Sequence, residues 1–194
     1  KCARNRKRGF KILTVDVRRA YFYAAARRDI YIEIPEEDRV PGDEVKVGKL
    51  NLSLYGTRDA AQNWTIEYTK TLRDLGFRSG LASPCNFHHA GKGVSVTVHG
   101  DDFTATGDHG SLEWFKDAVA KKYEIKHSML GPGATDSREV RVLNRVLRWT
   151  DQGNEYEADQ RHAEIVVTEM GLGKANAVTS PGVKAVEELP EDQW

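Results

Sequence analysis

The 194-residue chain has no net charge to spare: 29 basic side chains match 29 acidic ones. Net charge therefore gives no direct sign of a nucleic-acid partner. Two cysteines, Cys2 and Cys85, are too few and too far apart for a disulfide framework or a zinc-ligand spacing, so two free thiols in a reducing compartment are expected. No apolar run approaches the length that crosses a bilayer. The opening Lys1-Cys2-Ala3-Arg4-Asn5-Arg6-Lys7-Arg8 holds no apolar secretory core and no initiator Met. An intracellular, unsecreted piece of a longer polypeptide is expected, with no membrane partner. There is no internal repeat or low-complexity tract. What remains, 39% hydrophobic and 30% charged, suits one globular domain with a real core. The basic start and the acidic end (Glu187, Glu188, Glu191, Asp192) read as solvated charge runs.

Periodicity supplies the elements. Residues 10–17 are rich in β-branched and apolar side chains and predict a strand that carries Asp16 near its end. Residues 30–34 alternate and stop at Pro35, 36–48 read as a loop, and 50–55 read as a short strand. Ala61, Trp64, Tyr68, Leu72 and Leu75 predict an amphipathic helix, capped by Asp59 and ended by Gly76. Two alternating runs, 94–98 and 103–106, flank His99-Gly100-Asp101-Asp102 and predict a hairpin. Leu112, Phe115, Val119 and Tyr123 predict a second helix capped by Ser111, with a strand following near 123–126. Beyond Gly131-Pro132-Gly133, residues 139–149 and 155–157 read as a hairpin turning at 151–153, and 159–170 as a last helix. The mixture predicts an α+β fold, helices packed on one face of a mostly antiparallel sheet.

The chemistry sits in the acids. Asp101 and Asp102 repel each other unless a cation or basic partner offsets them, and a tight turn projects both from a fixed backbone. If the strand end bearing Asp16 lies beside that turn, three carboxylates converge. Such oxygen ligands suit Mg2+ (or Mn2+), and a pair of ions so held serves phosphoryl transfer. Paired aspartates are also common in exposed solvated turns, and spacing alone does not show that these three meet.

The order of motifs goes further. Val15-Asp16-Val17-Arg18-Arg19-Ala20-Tyr21-Phe22 is similar to D-V-x-x-A-F, and Asp29-Ile30-Tyr31-Ile32-Glu33-Ile34-Pro35-Glu36 to E-V-Y-M-x-x-P-E. Residues 50–64, LNLSLYGTRDAAQNW, resemble L-x-x-S-L-Y-G-L-K-Q-A-P-R-x-W. Leu75-Gly76-Phe77, Ser83-Pro84-Cys85, Gly100-Asp101-Asp102 and Thr179-Ser180-Pro181-Gly182 follow in the order of L-G-F, D-P-C, V-D-D and S-T-P. Along nearly its whole length the chain resembles the reverse transcriptase of copia-type long-terminal-repeat retrotransposons.

That resemblance implies a polymerase palm with partial fingers over residues 1–130. A primer-steadying hairpin would occupy 131–158, and the start of a thumb or connecting segment 159–194. It implies Asp16, Asp101 and Asp102 as catalytic, metal-binding acids, and Arg18, Arg19, Ala20, Tyr21, Asp59 and Gln62 near the incoming nucleotide. Tyr21 falls at the gate against a ribose 2′-hydroxyl, though an ordinary strand-end core aromatic explains it nearly as well. Trp64, in phase with the apolar face, reads as core rather than base-stacking. The implied partners are an RNA or DNA template, a DNA or tRNA primer, deoxynucleoside triphosphates and the remainder of a Pol polyprotein. His99-Gly100 stands where the family has Tyr-Val, Asp59 where it has Gln, Ala61 where it has Pro, and Gln62 where it has Arg. The competing readings are an inactive retroelement remnant that at most binds nucleic acid, and an unrelated metal-dependent nuclease, which a second hairpin disfavours.

Overall fold

The computed structural model describes residues 9–157 and 160–176. The chain divides into two compact units after Tyr156. In the first, strands β1 (Phe10–Val17), β2 (Tyr31–Glu33), β3 (Val47–Lys49), β4 (Arg78–Ser79), β5 (Asn86–His89), β6 (Val94–His99), β7 (Asp102–Asp108), β8 (Ile125–Leu130), β9 (Glu139–Val142), β10 (Arg145–Trp149) and β11 (Asn154–Tyr156) accompany helices α1 (Ala60–Asp74) and α2 (His109–Ala120). The second contains helix α3 (Gln160–Glu169) and a short 3-10 turn, Leu172–Lys174.

A six-stranded sheet ordered β4-β5-β6-β7-β1-β8 is the frame, and all its strand pairs are antiparallel. Alternation sorts its side chains into two faces. Leu13, Val15 and Val17 of β1, Val94, Val96 and Val98 of β6, and Phe103 and Ala105 of β7 are buried together with Trp64, Tyr68 and Leu72 of α1 and Leu112, Phe115 and Val119 of α2. Both helices therefore lie on one face, as expected of an α+β chain. The opposite face is apolar only at one end, where Ile12 and Leu130 join Val140 and Trp149 of the three-stranded sheet β11-β10-β9.

Helix α1 follows its periodicity closely, burying Ala60, Asn63, Trp64, Tyr68, Thr71 and Leu72. Its end is a Schellman motif, with Gly76 N–H on the Arg73 carbonyl and Phe77 N–H on that of Leu72, both 2.9 Å. Gly76 sits at φ 91, and a Cβ there would meet His89 Nε2 at 2.9 Å.

Several local expectations are overturned. Asp59 occupies the position before α1 but makes no capping bond, because Arg28 and Asn63 take its carboxylate. Helix α2 starts earlier than Ser111: Asp108, the last residue of β7, accepts the Ser111 N–H at 3.0 Å and is the cap. Residues 50–55 form no strand beyond an isolated bridge at Leu52, while Val47–Lys49, which starts inside the expected loop and ends one residue past it, pairs with β2. The strand expected near 123–126 is Ile125–Leu130. Residues 139–149 are two strands, not one, because Leu143 and Asn144 both adopt positive φ (49 and 62) and make a tight reversal. Cys85 is a free, half-buried thiol. The Cys2, Thr179–Gly182 and terminal charge-run expectations lie outside the described residues. No helix among the described residues is long and apolar enough to cross a membrane.

Candidate active site

Strand register brings the acids together. Asp16 and Asp102 are direct partners across β1 and β7. Asp102 in turn faces His99 on β6, and Asp16 faces Lys126 on β8. Cross-strand partners share a face. One row on the sheet side away from the helices therefore reads His99, Asp102, Asp16, Lys126, the two acids flanked by basic side chains. The next row is Thr97, Thr104, Thr14 and Ser128, all polar. The sequence hinted at Asp101 and Asp102, but Lys126 reaches this row only through the register of β8, which no local pattern encodes.

The β6–β7 turn is a two-residue one, Gly100-Asp101, with Gly100 at φ 62. A positive φ at the first central position alone is the type II′ arrangement, where glycine fits. Its position is fixed from two sides. Val17, immediately after Asp16, donates its N–H to the Asp101 carbonyl at 3.0 Å. Trp64 donates its indole N–H to the Gly100 carbonyl at 2.8 Å. Trp64 is core, as its phase predicts, but the core position also carries a bond to the turn.

The electrostatics show crowded acids. Burial pushes the Asp102 carboxyl above the usual carboxylate range, and the charges of Asp101 and Asp16 push the same way against a partial offset from His99. Tyr55 is raised by burial first, with Asp101 adding to it. Among the described residues no group of three or more His, Cys, Asp or Glu is gathered tightly enough to hold an ion by itself. The donor set nonetheless has the right chemistry for magnesium: carboxylates on a partly exposed sheet end, with coordination left for waters and substrate oxygens.

The other expected residues divide. Arg18 and Arg19 both bind Glu124, at 2.6 and 3.0 Å, and hold its carboxyl below the usual range. The Arg18 backbone N–H donates to the Glu124 carbonyl at 2.9 Å. Arg19 sits at φ 54 ahead of the 3-10 turn Ala20–Tyr23, and Ala20 is fully buried. Tyr21 is half-buried and stacks on Tyr55, centroids 4.3 Å apart and planes at 27°. Asp59 accepts from Arg28 at 2.9 Å and Asn63 at 3.1 Å, and Gln62 is exposed on α1. Tyr55, within the L-Y-G match, is a neighbour of the acids that motif reading did not single out.

The six-stranded antiparallel sheet, with Asp101 and Asp102 on one hairpin and Asp16 on the neighbouring strand, is the setting for the comparison of sequences. The profile of the family described as reverse transcriptase (RNA-dependent DNA polymerase) matches residues 3–137, and the chain belongs to that family. It is also similar to the retrovirus-related Pol polyprotein from transposon TNT 1-94 of Nicotiana tabacum, 25% identical over 173 residues. That alignment covers 86% of this chain and 12% of the relative, so the chain spans about an eighth of it.

Proposed function

We propose that this segment is the nucleotidyl-transfer centre of an RNA-directed DNA polymerase encoded by a copia-type retrotransposon. The observation that carries the reading is the register pair Asp16 and Asp102, locked to Asp101 through the Val17 bond. Asp16, Asp101 and Asp102 would hold Mg2+ or Mn2+, with triphosphate oxygens and water completing each shell. Held there, two such ions would supply Lewis acidity for a primer 3′-oxygen and for the charge on departing pyrophosphate. In that reaction the primer 3′-hydroxyl gives up its proton to water and its oxygen bonds to the α-phosphorus of a deoxynucleoside triphosphate as the bond to pyrophosphate breaks.

The chain's own residues orient the reactants. The Tyr21–Tyr55 stack offers a rigid aromatic wall near Asp101, suited to contacting the sugar of the nucleotide. Arg18, Arg19 and Tyr21 are candidates for nucleotide contact, Ala20 through its backbone, with Asp59 just before α1 and Gln62 on it. The hydroxyl row Thr97, Thr104, Thr14 and Ser128 beside the acids suits sugar and phosphate contacts, which position a duplex without reading its sequence. An RNA or DNA template with a DNA or tRNA primer would lie there, and the sheet of β9–β11 would steady the primer. Residues 159–194 would begin the thumb or connecting segment. The rest of a Pol polyprotein would supply further contacts.

A second reading, an inactive remnant, draws on the lack of a tightly gathered ion site among the described residues. Mn2+ binding followed by primer extension on an RNA template, with Asp101→Asn as control, separates the two. Metal-dependent extension lost in the variant supports the polymerase. Equal, absent metal binding in both chains leaves the remnant.

A further inference from the structure

We infer that Trp64 is a positioning residue, whose indole N–H holds the Gly100-Asp101 turn in register with Asp16. The inference rests on the polymerase reading of the three acids. A residue needed only to fill space at this point of α1 could be Phe or Leu. A buried indole N–H carries a cost unless it finds an acceptor. Here it finds one outside its own helix, on the turn that bears the acids, at 2.8 Å.

The ring is not free to turn away. Tyr123, Tyr68 and Phe103 surround it with centroids at 5.2, 5.6 and 6.4 Å. Trp64 itself is 1% exposed, and the direction of its N–H is therefore set by packing. At the other end, Gly100 lies in a two-residue turn closed by the His99–Asp102 pair, at a φ of 62 that suits glycine. The two central carbonyls of the turn are each held from a different element, Asp101 from β1 and Gly100 from α1. The first bond fixes the spacing of Asp101 from Asp16. The second ties the same turn to helix α1, which Asp59 precedes and which carries Gln62. A site whose geometry must hold within about half an ångström gains from such a supporting bond.

The test compares the wild-type chain, Trp64→Phe, and a chain with 3-benzothienylalanine at position 64, in which sulfur replaces the N–H at nearly constant volume. Three properties are read: amide order parameters of Gly100 and Asp101 by nitrogen-15 relaxation, Mn2+ affinity, and single-nucleotide primer extension. The isostere should melt within about 4 °C of the wild type. Its turn amides should fall from about 0.85 to below about 0.6. Mn2+ affinity and extension kcat should each drop about tenfold, with KM for the nucleotide within about twofold, because the geometry of reaction rather than binding is lost. If Trp64→Phe fails to fold, the isostere carries the comparison. Unchanged order parameters and unchanged Mn2+ affinity in a folded isostere would overturn the inference. A loosened turn in a protein whose wild type neither binds Mn2+ nor extends primers would uphold the role of Trp64 in the turn and reject the polymerase reading instead.

Discussion

Replacing Asp102 by asparagine should make the metal-free protein more stable while removing function. Asp102 faces Asp16 directly across the strand pair, is partly buried, and feels Asp101 as a third negative charge. Like charges directly opposite on a sheet cost up to roughly 1 kcal/mol. The substitution keeps the shape and removes one charge, so the gain should be about 0.5–1 kcal/mol at neutral pH, or about 1–4 °C in Tm for a chain of this size. Salt near 1 M should shrink it, because the acids reach solvent. The pH dependence has a definite sign. Folding raises this carboxyl's pKa, so the native state holds its proton more tightly than the unfolded chain. The penalty exists above the raised pKa and fades as pH falls through it toward the unfolded value of about 3.9. The advantage of Asp102→Asn should vanish over that range. Mg2+ should reverse the order: at ten times its Kd, an ion bound only by the native wild type adds about 1.4 kcal/mol. Thermal melts across pH, with and without Mg2+, are the assay. A variant less stable than wild type at pH 7 without metal, or an equal Mg2+ response in both chains, would refute crowded acids awaiting a cation.

Gly100→Ala should cost about 1–2 kcal/mol and slow extension, since a new Cβ meets nothing within 4 Å and the whole penalty comes from φ 62; melts and single-turnover extension check this. The double change Leu143→Asn with Asn144→Gly puts the residues that type I′ turns favour at φ 49 and 62 and should raise stability by about 1 kcal/mol without touching Mn2+ affinity. Asp136→Ala should cost about 3 kcal/mol by leaving Lys11, 2.7 Å away and nearly buried, without its partner. Burial works to raise the Asp136 carboxyl, but Lys11 and the Gly133 N–H outweigh it and hold it below the usual range. The pair's contribution is thus present above about pH 4 and lost as pH falls through the lowered pKa, which acid titration of wild type against the variant measures.

How much of this could be read from the sequence depends on the range of the interaction involved. β1, α1 and the acid-bearing hairpin were legible because each buries a periodic face: Leu13, Val15 and Val17 alternate, and Trp64, Tyr68 and Leu72 recur every four residues. Boundaries set by single hydrogen bonds were not. Asp108 displaced Ser111 as a cap because β7 runs directly into α2, and the Leu143-Asn144 reversal hides in a run with no glycine. Strand-forming residues at 50–55 found no neighbouring strand, whereas Val47–Lys49 found β2. The site shows the same division. Motif order named Asp16, Asp101 and Asp102, but whether Asp16 and Asp102 face one another depends on a register of β1 against β7. A slip of one residue would send Asp16 to the helix face and Val15 to solvent. Burial of Leu13, Val15 and Val17 against α1 and α2 forbids that slip. The apolar alternation of β1 is therefore what aims its one acid, and the packing of the core and the placement of the carboxylates are the same constraint seen from opposite faces of the sheet.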